Sequence, residues 1–254
     1  MAHNASQIDL TSDGICYDFF NLLWTKDDLN FSPSINIPDT VIIKHGQPIC
    51  WYFTSTNGRI KKKNRQNLLN ARIEESFTRH LLGYDVLATF ISVANEDQAE
   101  NKGEGEAFNK KTQLQFLDHE ALNQFLYKSG RNNNGILQKF IEPKGVKNEA
   151  IRIIWSPKVC LLERCENINQ LHDKRFGIYE RCVTFEGPEY YSKSTPLRGP
   201  VLAGQLQKVC EAIVSHISGF PPFFSCFSCR FFPISPPPLF QRLPMPNSVY
   251  QGLS

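Results

Sequence analysis

The sequence predicts an α+β fold: a mainly antiparallel sheet with two packed amphipathic helices, followed by a disordered Phe/Pro-rich tail. Three observations carry that prediction. Several β-rich runs are joined by links too short for parallel crossovers, which need a dozen residues or more. Two segments, 64–82 and 200–217, repeat their apolar residues at spacings of three and four. After Ser218 the composition breaks: residues 219–254 hold eight of the 16 prolines and seven of the 19 phenylalanines, with no Asp, Glu, Lys or Ala. The chain has 254 residues, 41% hydrophobic and 21% charged, a globular composition that excludes a wholly disordered or fibrous protein. It divides into an arm over 1–38, an α+β domain over 39–218 and the tail over 219–254.

The arm sets Asp9, Asp13, Asp18, Asp27 and Asp28 around an apolar cluster of Tyr17, Phe19, Phe20, Leu22, Leu23 and Trp24. Its expected place is against the main domain; a docking segment for another protein is the alternative. The acids interrupt each apolar stretch, which argues against a signal peptide. No run of about 18 apolar residues is present, so no transmembrane segment is expected. The expected compartment is the cytoplasm, with the eight cysteines as mostly reduced core thiols.

Residues 40–44 and 48–54 flank His45-Gly46-Gln47 and read as a hairpin. Asn57-Gly58 marks a second turn. Over 64–82, Leu69, Ile73, Phe77, His80 and Leu81 share one helical face, and Gly83 ends the helix. Residues 86–93 read as a buried strand and 95–112 as a charged surface loop. Asp118 caps a short helix that buries Leu122, Phe125 and Leu126. Four β-rich runs follow, at 135–142, 149–155, 159–165 and 177–185, read as an antiparallel meander with Trp155 near its centre. Pro200 opens the last helix. There Leu202, Leu206, Val209, Ile213 and Ile217 form a stripe, while Gln205, Lys208 and Glu211 face out.

In residues 219–240, 17 of 22 are Phe, Pro, Ser or Leu, all with pyrimidine-rich codons. A translated intron near its polypyrimidine tract has that composition, so the tail reads as a splice-variant or read-through terminus. Its prolines argue against long helices or strands, and against its supplying a sheet strand. The competing reading is a polyproline II ligand through Pro236-Pro237-Pro238 or Pro244-Met245-Pro246. Lying on a membrane through the exposed phenylalanines is a third.

Candidate chemistry is sparse. The six histidines form no HxH, HxxxH or HExxH, and GxGxxG, P-loop and GxSxG motifs are absent. Cys226 and Cys229 supply two of the four ligands a structural zinc takes, and Cys160 and Cys165 point to opposite faces of one strand. No cofactor, metal or catalytic set is therefore expected. The one dense basic run is Arg59, Lys61, Lys62, Lys63 and Arg65, beside Tyr52 and Phe53. It is the candidate binding site, for nucleic acid or anionic lipid. Against it stands a solvated helix start, although cations at a helix N-terminus are electrostatically misplaced. A net charge of +3 adds no wider basic footprint.

The phrases GILQKFIEPKG, IRIIWSPKVCLLERCENINQLHD, YERCVTFEGPEYYS and STPLRGPVLAGQLQKVCEAIVSHI resemble a functionally uncharacterised eukaryotic family associated with ciliated or flagellated organisms, over roughly residues 40–218. The resemblance implies further β-structure after the final helix, where this chain carries its tail, and it implies no catalytic residue. The expected function is a non-enzymatic protein-interaction or scaffold module, cilium-linked, with a protein as partner. Contact with nucleic acid or anionic lipid through residues 59–65 is the first alternative. An enzyme whose catalytic set assembles only in three dimensions is the second.

Overall fold

The computed structural model describes residues 19–24, 35–79, 83–93, 112–128, 133–195, 197, 200–217, 227–232 and 248–250. β1 (Thr40–Lys44) and β2 (Gln47–Thr54) form the expected hairpin. His45 and Gly46 turn it with φ of 51° and 69°, the left-handed pair that a tight two-residue hairpin requires. Their amides donate to Asn134 Oδ1 (2.7 Å) and to the Asn133 carbonyl (2.9 Å), which ties the turn to the segment before β6 (Gly135–Lys139). With β3 (Ile60–Lys62), β4 (Ala88–Val93) and β5 (Thr112–Leu117), these strands make a six-stranded antiparallel sheet in the order β3-β2-β1-β6-β4-β5.

β7 (Lys147–Ser156), β8 (Val159–Gln170) and β9 (Ser192–Thr195) form a second antiparallel sheet, joined by β10 (Phe227–Phe232) and β11 (Ser248–Tyr250) in the order β11-β10-β7-β8-β9. The α+β class with mainly antiparallel sheet holds, as two sheets.

Side-chain alternation gives the first sheet two apolar faces. Val41, Ile43, Trp51, Phe90 and Leu137 cluster with Ile73 and Phe77 of α2 (Asn70–Thr78) and Leu122 and Leu126 of α3 (His119–Lys128). Asp118 Oδ1 accepts the Ala121 N–H at 2.8 Å, the expected cap of α3. On the opposite face, Ile42, Tyr52, Ile60, Ile91 and Ile136 join Ile151, Ile153 and Trp155 of the second sheet. That core is completed by Phe19, Phe20, Leu22 and Leu23 of α1 (Phe19–Leu23) and by Leu206, Cys210 and Ile213 of α5 (Pro200–Ile217). The arm's aromatic cluster is thus part of the main core, while Tyr17 lies outside the described residues. α5 keeps its expected bounds; Leu206 and Ile213 of the expected stripe are buried and Leu202 and Val209 pack against the core, and Gln205, Lys208 and Glu211 are exposed.

Several expectations are corrected. The helix read over 64–82 is a 3-10 turn, Arg65–Asn67, followed by the shorter α2; Leu69 is exposed, and residues 80–82 lie outside the described ones. Residues 177–185 form no strand. They hold α4 (Ile178–Cys182), started by the Gly177 N–H donating to Glu180 Oε2 at 2.8 Å. Arg181 anchors α4: it is 3% exposed, and its guanidinium donates to both Asp85 carboxylate oxygens (2.9 and 2.8 Å) and to the carbonyls of Leu171 and Phe176. The four-run meander is also broken, because β6 pairs between β1 and β4 in the first sheet. Trp155 lies on β7, the middle strand of the second sheet, between Phe227 and Cys160, but at the hairpin end of that strand.

β5 and β9 are strands in stretches whose patterning predicts a loop or no regular element. The tail expected to be disordered over 219–254 lies mostly outside the described residues. Within it, residues 227–231 pair with β7, contrary to the expectation that it supplies no sheet strand. The reason is local: the ten residues 223–232 contain no proline, so no ladder N–H is missing there.

Candidate functional site

The basic run is divided by the pleat of the sheet edge. β3 pairs Lys62 with Tyr52 and Lys61 with Phe53, so successive lysines face opposite sides. Lys62 Nζ lies 5.4 Å from the Trp24 ring and 5.5 Å from the Tyr52 ring, on the side of α1. Lys63 Nζ lies 3.3 Å from the Trp51 ring centre and 5.4 Å from that of Phe53, on the side of α2. Arg59, Lys61 and Arg65 are exposed. The five cations therefore do not converge. They also precede no α-helix directly, so the expected solvated helix start is corrected: lysines on a short edge strand discourage pairing with another sheet edge.

Lys63 belongs to a polar cluster that the sequence did not reveal. Asp39 accepts the Trp51 indole N–H at 2.7 Å and the Ser76 hydroxyl at 3.0 Å. Lys139 Nζ donates to the carbonyls of Ser76 (2.7 Å) and Arg79 (2.9 Å), placing a cation at the C-terminal end of α2, where the helix dipole favours it. Burial lowers the pKa of both lysines; Asp39 opposes the shift and Arg79 adds to it. Each cation here has a structural task.

Among the described residues, no group of three or more His, Cys, Asp or Glu is placed to hold a metal. Cys226 of the CxxC pair lies outside them. A cavity of about 20 Å³ between the sheets is lined by Thr89, Asn148, Cys182 and Thr184 among others. It has room for about one water, whereas ligand sites run to hundreds of Å³. A wide hollow of about 530 Å³ at Gln170, His172, Asp173, Lys174 and Arg175 is open. Its Asp173 carboxylate, bonded by Arg175, has its pKa lowered to about 2. Burial pushes the Cys182 and Cys210 thiols up to about 12, so neither is an activated nucleophile.

Two exposed apolar surfaces, one on the second sheet and one beside it, have no distinct signal in the sequence. On its outer face, Arg152 lies under the Phe185 ring (4.2 Å), and Cys165 and Asn167 are buried, Asn167 donating to the carbonyls of Glu180 and Val183. The other half of that face is bare: Ile154 is 40% exposed, Val159 51% and Leu161 57%, with Ile154 directly opposite Leu161. The second surface lies at the far end of β8. Tyr191 packs edge-on against Tyr190 (4.4 Å) and Tyr179 (6.3 Å). Its hydroxyl donates to Glu180 Oε1 at 2.8 Å, which pushes its pKa up to about 12. Val159 and Leu161 could have been found as a period-2 apolar pair, but the covered positions of the same strand carry the same kind of signal.

No family model matches the chain, and no curated protein matches it. Among solved structures, it is similar to the crystal structure of VanG D-Ala:D-Ser ligase from Enterococcus faecalis, at 11% identity and a TM-score of 0.33, over 78% of this chain and 44% of that one. The chain thus spans less than half of that ligase, and a likeness at this TM-score carries no argument about fold or activity.

Proposed function

We propose that the chain is a protein-interaction or scaffold module that docks a partner protein on the bare half of the second sheet's outer face, within the cilium-linked setting that the family resemblance implies. One observation carries this reading: Ile154, Val159 and Leu161 lie together, each at least 40% exposed, on a face whose other half the protein covers itself. Contiguous exposed apolar surface of this kind marks interaction sites. Covering the open part of each side chain contributes about 1 kcal/mol apiece. The ion pair of Arg152 with Glu163 (3.9 Å) borders the strip and supplies a polar rim.

The test is affinity purification with mass spectrometry on the full chain and on a Val159→Ser/Leu161→Asp variant, with Lys61→Gln as a surface control. The proposal expects proteins recovered with the wild type and the control to be lost with the double variant. Recovery of the same set with all three overturns it.

A further inference from the structure

We draw no further inference here: the strongest candidate, the edge of β8 over residues 159–163 that no described strand pairs beyond the end of β9, belongs to the surface already proposed as the docking site, and nothing in the structure shows what covers it.

Discussion

Removing the Asp85 carboxylate leaves the Arg181 guanidinium charged, 3% exposed and without its only anionic partner among the described contacts. Asp85 lies just before β4 of the first sheet, and Arg181 lies in α4, packed beside β8 of the second, so the pair links the flanks of the two sheets. Breaking a buried pair from one side costs about 3–5 kcal/mol. Two features place Asp85→Ala toward the lower end, about 2–4 kcal/mol: the Asp85 side chain is 32% exposed, and the carbonyls of Leu171 and Phe176 still accept from the guanidinium. Arg181→Met removes the charge but strands those carbonyls, while Asp85 hydrates. The double variant should therefore cost less than the sum of the singles, by about 1 kcal/mol or more. Urea unfolding of the four chains, followed by circular dichroism, gives the cycle directly.

The same pair has a pH signature. The hydrogen bonds from Arg181 hold the Asp85 carboxyl below its ordinary value of 3.8. A carboxylate depressed on folding stabilises the fold above its unfolded pKa, and that stabilisation is lost as pH falls through the folded pKa. The gap between wild type and Asp85→Ala should hold from neutral pH down to about pH 4 and shrink below it. An Asp85→Ala cost under about 1 kcal/mol, or strict additivity in the cycle, would refute the claim that Arg181 depends on this carboxylate.

Further outcomes follow from the packing. Leu206→Asp, at a fully buried position of α5, should cost about 3 kcal/mol or more in urea unfolding, and Gln205→Asp on the exposed face far less. Lys63→Gln should lower the melting temperature through loss of its contact with Trp51, worth about 0.5–2 kcal/mol, whereas Lys61→Gln should leave it nearly unchanged. Gly135→Ala places a Cβ 2.3 Å from the Ile91 carbonyl oxygen and 2.6 Å from the Phe90 ring, so it should destabilise by about 1–3 kcal/mol in thermal melts. Ending the chain at Ser218 removes the five residues of β10 that pair with β7; at about 1 kcal/mol per hydrogen bond this costs roughly 3–5 kcal/mol, read as a lower urea midpoint.

The elements most legible in sequence were those whose signal is local. Gly46 in a tight turn, Asp118 at a cap and the Leu206–Ile213 stripe each act within a few residues, so turn chemistry, capping and helical periodicity identify them. β5 was legible in principle, since Leu114 and Phe116 alternate with Gln113 and Gln115, but its six residues are too few to stand out beside a charged loop. Residues 177–185 failed for the opposite reason. Ile178, Val183 and Phe185 resemble a strand, and a helix of five residues has too little periodicity to compete; α4 is held by Arg181 reaching Asp85, 96 residues away.

By itself the sequence determined the α+β class, the first hairpin, α5, the absence of simple catalytic motifs and the existence of a basic run and a proline-rich tail. Those properties depend on neighbours along the chain. Tertiary structure alone decided that the strands divide into two sheets, that Lys62 and Lys63 face opposite sides, and that Ile154, Val159 and Leu161 stay bare while Cys165 and Asn167 on the same strand are covered. Pairing partners and surface exposure depend on which distant segments arrive, and the spacing of residues within one strand is identical whether its outer face meets a helix, a partner or water.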